Sequence, residues 1–332
     1  MIWLLFLGSA VLTVLAGVKL ADYGDVIGVR TGLGGVFVGT LLLSSATSLP
    51  ELLTAFNAVS RGLVDLTAGG FFGSSMFNML ILALLDLSSR HVRILRRVVV
   101  THSVTAGMAV LLTALAVLFI LGNIQYSVAW MGLDSLLVIA TYVVGVWFIQ
   151  NSRAVRVVPP IPVREETAER EMPSLTHAVI GFVLAAAVLL LATPLLVQSA
   201  DGIAEITGLG TGLVGLVFVA FVTSLPEVVT TVSAARHRAY DLAVGNLFGS
   251  NMFNIFALAL VDIFYTEGRL LGAINPIMTL AGLLAIVLIS LAGVGNVARV
   301  ERRIWFMEVD ALLIVLAYAL GVWLLFSRQI VG

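Results

Sequence analysis

Glu51 and Glu227 are the residues of this 332-residue chain whose placement most needs a chemical explanation. Each closes the string Thr-Ser-Leu-Pro-Glu, at 47–51 and again at 223–227, and each stands well inside a long apolar run. A carboxylate at the bilayer centre costs at least ~2.5–3.5 kcal/mol on insertion scales, so two at matching positions require a compensating partner. No lysine or arginine lies in these runs. The neighbouring runs offer neutral donors instead: Ser74 and Asn78 within Phe-Gly-Ser-Ser-Met-Phe-Asn (72–78), Ser250 and Asn254 within Phe-Gly-Ser-Asn-Met-Phe-Asn (248–254). Two carboxylates with neutral oxygens suit a hard cation, sodium or calcium, better than a soft metal. The missing partner is therefore read as a mobile cation.

The local backbone must present these groups. Thr47 and Glu51 are four apart and share a helix face, as do Ser74 with Asn78 and Ser250 with Asn254. Pro50 has no amide hydrogen and clashes with the carbonyl four residues earlier, so carbonyls from Ser44 to Thr47 are expected to leave the helical ladder. Such irregular backbone is tolerated at membrane depth where it is buried in protein or lines a cavity. Gly69 and Gly73, like Gly245 and Gly249, form a small-residue ridge that lets helices approach closely. The bland alternatives are a protonated structural pair for the glutamates and ordinary interhelical hydrogen bonds for the serines and asparagines. Symmetric placement beside helix-breaking prolines favours the ligand reading.

Composition sets the class. The chain is 60% apolar and 11% charged, with mean hydropathy +1.10, whereas soluble domains run near roughly 45–50% apolar and about 25% charged. Its 18 basic and 19 acidic residues nearly cancel, which argues against a nucleic-acid surface. With no cysteine, disulfides and thiolate-ligated metals are excluded. Ten hydrophobic segments follow, near 2–20, 35–58, 67–87, 98–121, 127–150, 176–198, 211–234, 241–262, 272–293 and 305–326. The first lacks a basic n-region and a small-residue cleavage site before Lys19, so it is expected to be a retained span.

The chain is internally duplicated. Adding 176 to a residue number pairs Asp25 with Asp201, Asp65 with Asp241, Asp86 with Asp262, Arg93 with Arg269, Asp134 with Asp310 and Trp147 with Trp323, besides both motifs. Five spans per copy is an odd number, so the second copy enters the membrane from the opposite side. The expected architecture is an all-α integral membrane protein: ten transmembrane helices in two inverted five-helix repeats, at 1–150 and 176–332, joined by a cytoplasmic linker at 151–175. Fifteen of the 18 basic residues fall on one side under this reading, with Arg61, Arg269 and Arg328 opposite. The basic side is cytoplasmic, which puts both termini outside a cell inner (plasma) membrane.

The duplicated segments resemble the alpha-repeats of the sodium/calcium exchanger family, within the cation/calcium antiporter superfamily, and the resemblance covers essentially the whole chain. It implies alternating-access antiport, with calcium and sodium sharing clustered sites around the two glutamates. By this resemblance Glu51 and Glu227 are shared carboxylate ligands, and Thr47 and Thr223 offer carbonyl or hydroxyl oxygens. Ser48, Ser224, Ser74 and Ser250 help hold sodium. Ser44 and Ala220 stand where members offer a backbone carbonyl, and Asn78 and Asn254 occupy the central polar positions. Some exchangers carry an aspartate where Asn254 stands, so this site has two formal charges rather than three. Two carboxylates neutralise one calcium or two sodium ions. The first and sixth spans are implied to slide, exposing the site to each side in turn.

Other polar residues read as structural. Asp134 and Asp310 sit near span ends and suit helix-end or interhelix hydrogen bonds. Asp65 and Asp241 complement positive helix N-termini. Asp86, Asp262, Asp25 and Asp201 are expected at solvated helix ends. His91, His102, His177 and His237 follow no ligand spacing. No nucleophile–base or H-E-x-x-H constellation is present, so no enzyme, cofactor or obligate protein partner is expected. The expected activity is exchange of calcium for sodium; the alternatives are coupling to protons or potassium on the same scaffold, or a cation channel.

Overall fold

The computed structural model describes residues 1–30, 43–88, 101–124, 126–151, 173–236, 240–298, 303–304 and 307–331. The cluster Arg90 to Arg97, most of the expected linker, and residues 35–42 of the second expected span lie outside the described residues. The chain is nearly all helical. Its helices are α1 (Ile2–Arg30), α2 (Leu49–Val59), α3 (Val64–Ser88), α4 (Thr101–Gly122), α5 (Leu133–Asn151) and α6 (Leu175–Thr207). They continue as α7 (Thr211–Thr223), α8 (Leu225–Arg236), α9 (Tyr240–Leu260), α10 (Leu270–Ala273), α11 (Met278–Ala298) and α12 (Val309–Val331). Among the described residues seven helices are long and apolar enough to cross a membrane, eight if the bent pair α7–α8 counts as one span.

Local chemistry sets the boundaries. Helix α6 opens on Ser174, whose hydroxyl accepts the His177 amide at 3.3 Å, and closes on Gly208 at φ 69°, a left-handed cap that glycine adopts without strain. Its 33 residues span about 50 Å at 1.5 Å per residue, well beyond a hydrocarbon core of about 30 Å. The expected sixth segment stopped at 198 because hydropathy falls at Asp201, yet helical hydrogen bonding continues past it. The ninth began too early: Pro276 cannot join the ladder, Asn275 Oδ1 accepts the Ile277 amide at 3.0 Å, and α11 starts at Met278. The fifth shortens because Ser127–Val128 pairs antiparallel with Met131–Gly132 ahead of α5. The same two-stranded turn recurs at Arg303–Ile304 and Met307–Glu308 ahead of α12, again at an offset of 176 residues.

Helices α3 and α9 lie at the centre, buried along most of their length. Phe71, Phe72, Met76, Leu247, Phe248 and Met252 pack there against α4 and α11. Glycine sets how closely α3 meets α7. A Cβ on Gly69 would strike the Gly212 carbonyl, one on Gly73 the Leu216 carbonyl, and one on Gly215 the Leu66 carbonyl. The expected small-residue ridge is thus in use on α3. Helices α1 and α6 pack on each other at the periphery; α1 also touches α8, and α6 touches α2. Their outward faces are apolar and exposed, Leu191 at 75% for instance, as a lipid-facing surface requires.

Candidate cation site

Two helix breaks build the site. Ser48, at φ −88° and ψ 8°, interrupts the helix between residues 43–47 and α2, and Ser224, at φ −85° and ψ 2°, does the same between α7 and α8, where the axis bends by 43°. Pro50 and Pro226 follow each break and cannot donate to Ala46 or Val222. The carbonyl of Ser44, expected to be released, stays engaged, as does that of Ala220. Ser44 O accepts the Ser48 amide at 3.0 Å and the Thr47 hydroxyl at 3.1 Å; Ala220 O accepts the Ser224 amide at 3.0 Å and the Thr223 hydroxyl at 3.4 Å. The proline's missing donor lies two residues further on, which is why the ladder survives at these positions. Over Gly215–Val219 the chain adds a π-helical turn that no residue pattern announces.

The breaks bring both glutamates to the centre, Glu51 at 4% exposure and Glu227 at 0%. Each is held by the other repeat's serine: Ser48 Oγ donates to Glu227 Oε1 at 2.8 Å, and Ser224 Oγ donates to Glu51 Oε1 at 3.2 Å. Ser74 links the halves. Its hydroxyl lies 3.3 Å from Glu51 Oε1 and 2.7 Å from Ser224 Oγ, and it accepts from Asn254 Nδ2 at 3.1 Å. The central asparagines also reach across: Asn254 Nδ2 donates to Ser75 Oγ at 3.4 Å, and Asn78 Nδ2 donates to Asn251 Oδ1 at 2.9 Å. Ser250 faces the Glu227 carboxylate without closing a hydrogen bond of good geometry. Thr223 bonds backward to Val219 O at 3.0 Å.

The donor inventory leaves a surplus of oxygens. Glu51 Oε2, Glu227 Oε2, Asn78 Oδ1, Asn254 Oδ1 and Ser250 Oγ are all buried without a hydrogen-bond partner among the described residues. One such group costs ~1–3 kcal/mol, more if charged, and the five lie in one cluster with a single buried donor likewise unpartnered among the described residues, Asn251 Nδ2. No group of three or more His, Cys, Asp or Glu that could hold a metal ion occurs among the described residues.

Residues that the sequence set apart without counting them in the site also take part in its surroundings. Asn246 donates to Thr230 at 3.1 Å and Thr231 at 3.3 Å, accepts from Thr47 at 3.5 Å, and its carbonyl accepts the Ser44 hydroxyl at 3.0 Å. The amide's absence at Gly70 was the available signal. Asp262 and Asp86, expected at solvated ends, are buried. Asp262 accepts the amides of Gly132 at 2.8 Å and Leu270 at 2.7 Å, so local backbone donors replace water. Asp134 accepts the Ser135 amide at 2.9 Å, as a helix-end role predicts, and also pairs with Arg269 at 2.9 Å. Asp65 accepts the Asn275 amide at 2.8 Å, and Asp241 lies 3.3 Å from His102.

The chain has the make-up of a multi-pass helical membrane protein with two glutamates buried among serine and asparagine side chains. The sodium/calcium exchanger protein family matches residues 1–150 and 177–327, and the chain belongs to that family. It is 28% identical over 301 residues to the "Putative antiporter CaxA" of Alkalimonas amylolytica, covering 88% of each chain. In fold it is similar to the sodium-calcium exchanger NCX_Mj, with TM-score 0.60 and 20% identity over 97% of this chain and 99% of that one. It is also similar in fold to an H+/Ca2+ exchanger, CAX, with TM-score 0.66 and 13% identity over 99% of this chain and 88% of that one. The family is one of transporters rather than catalysts.

Proposed function

We propose that this chain is a secondary antiporter that exchanges calcium for sodium by alternating access at the Glu51–Glu227 site. The observation that carries the reading is the set of five unpartnered buried oxygens, on Glu51, Glu227, Asn78, Asn254 and Ser250. Either one calcium or two sodium ions would neutralise the two carboxylates. Ser48, Ser224, Ser74, Thr47 and Thr223 surround them and complete the donor set, while the Ser44 and Ala220 carbonyls stand at its edge with part of their capacity already used.

The architecture read here is ten spans in two inverted repeats, 1–150 and 176–332, joined by a cytoplasmic linker at 151–175, with both termini outside the plasma membrane. The reciprocal Ser48–Glu227 and Ser224–Glu51 contacts support the two-fold relation, and the matching turns at Ser127–Gly132 and Arg303–Glu308 support the duplication. Helices α1 and α6 are the moving pair in this reading. They are long, lipid-facing and packed on each other, and Gly17 of α1 sits against both Pro50 and Pro226, the two break points. Coupling follows from electrostatics: carboxylates without cations resist passage along a dry path, so the transition requires a loaded site.

The test is calcium flux into proteoliposomes under sodium, potassium and pH gradients imposed one at a time. Uptake driven by outward sodium alone is expected. Uptake driven by the pH gradient without sodium would replace sodium by protons as the coupling ion, and single-channel currents would replace exchange by conduction.

A further inference from the structure

The hairpin between α4 and α5 carries a surface that the cation site does not explain. It runs from Tyr126 to Leu133, closed by the Leu133 amide on the Tyr126 carbonyl at 2.9 Å and paired at Ser127 with Gly132 and at Val128 with Met131. Its inner side is fixed: Met131 is buried, and the Gly132 amide donates to Asp262 at 2.8 Å. Its outer side is apolar and bare. Tyr126, Val128 and Trp130 are 71%, 57% and 56% exposed, and the indole N–H of Trp130 is already engaged with the Ile263 carbonyl at 3.0 Å. No Asp, Glu, Lys or Arg occurs from Ser103 to Leu133, although a connection facing water ordinarily carries such residues. The hairpin fold does not demand this composition. In the second copy Arg302, Arg303 and Glu308 stand where Tyr126, Ser127 and Gly132 stand.

Two further observations say what covers this face. The bare surface is continuous with the lipid-facing helices: Leu118 and Leu121 precede it on α4, Leu137 follows it on α5, and Ile263 and Phe264 adjoin Trp130, all of them exposed. Helix α5 is also short. Its apolar stretch, residues 133–149, reaches about 25 Å at 1.5 Å per residue, against a hydrocarbon core of about 30 Å. A span that falls short draws its flanking residues into the bilayer boundary, where tyrosine and tryptophan rings sit preferentially. We propose that this hairpin lies in the headgroup–acyl boundary of the bilayer, with Tyr126, Val128 and Trp130 immersed among phospholipids, and that it completes the span of α5. It goes no deeper, because backbone groups outside its two residue pairs need water or headgroups as partners. The bond from Trp130 to Ile263 then ties the lipid contact to the segment directly after α9, the helix that carries Ser250 and Asn254.

The chain has no cysteine, so single spin labels report the placement directly. Val128→Cys and, as a second site, Tyr126→Cys are labelled with a nitroxide in the full chain reconstituted into phosphatidylcholine vesicles. Collision with oxygen, which concentrates in lipid, is compared with collision with a water-soluble nickel chelate. Ser60→Cys is the reference, exposed in the turn between α2 and α3, at the end of the bundle where Phe56 packs on Phe264 at 4.6 Å. The oxygen-to-nickel ratio is expected to be several-fold higher at Val128 and Tyr126 than at Ser60. A ratio at either site no higher than at Ser60 puts the hairpin in water and overturns the proposal. Protection from both reagents, or spin–spin broadening between labels, puts a protein or a second copy of this chain on the face and overturns it equally. The measurement involves no transport, so its outcome stands or falls apart from the exchange reading.

Discussion

Ser48 donates to Glu227 across 2.8 Å although the two residues lie 179 positions apart in the chain. With the reciprocal bond from Ser224 to Glu51, it makes each carboxylate depend on the opposite repeat for its orientation. The halves are not exchangeable in strength, because Ser74 closes a second serine bond to Glu51 at 3.3 Å, whereas Ser250 faces Glu227 without closing one of good geometry.

Removing the cross-repeat donors should therefore have unequal effects. Ser48→Ala is expected to weaken cation binding about tenfold to a hundredfold, the worth of a hydrogen bond to a charged group. Ser224→Ala should cost less, since Ser74 remains. The calcium concentration giving half-maximal uptake measures both, and a larger loss in Ser224→Ala would contradict this geometry.

Neutralising a carboxylate should remove transport while sparing the fold. Glu51→Gln or Glu227→Gln is expected to abolish calcium uptake into sodium-loaded vesicles, because one remaining charge cannot balance calcium in a buried site. Thermal unfolding in detergent should change little, since an amide can still accept the serine hydrogen bond. Normal uptake by either variant would sink the site assignment.

Neighbouring glycines on α3 should respond differently to the same change. A methyl at Gly69 or Gly73 meets the backbone of Gly212 or Leu216, so each alanine is expected to destabilise by about 1–3 kcal/mol through overpacking. Gly70→Ala meets open space and should be neutral or stabilising by up to about 1 kcal/mol from helix propensity. Melting temperatures of the three variants check the order.

The Asp134–Arg269 pair should behave as a buried salt bridge, with side chains 0% and 12% exposed. Arg269→Met alone is expected to cost about 3–5 kcal/mol by stranding the aspartate. The double change Asp134→Asn with Arg269→Met should recover much of that loss. A double variant as unstable as the single one would show that packing, not charge, dominates there.

The glutamates were legible because a carboxylate beside proline in an apolar run violates what hydrocarbon tolerates, and such a violation is visible without coordinates. So was the pairing of Ser74 with Asn78, which needs only the helical repeat. The Asp134–Arg269 pair was not, since the two lie 135 positions apart and no local pattern joins them. Asp262 was misjudged for a similar reason: hydropathy reports what faces lipid, and it is silent about amides that a neighbouring turn brings within 2.8 Å. The long tail of α6 escaped notice because a helix continues wherever its ladder continues, whatever its polarity.

Reading the residues alone was enough to establish a duplicated, apolar chain with a glutamate at the matching position of each copy, because periodicity, hydropathy and repeats are properties of order along the chain. Folding added the exchange of serines between copies and the bonds by which Asn246 ties Thr47 to Thr230 and Thr231. Those depend on packing at close range between residues well over a hundred positions apart, where a shift of one ångström makes or breaks a hydrogen bond and no local pattern records the outcome.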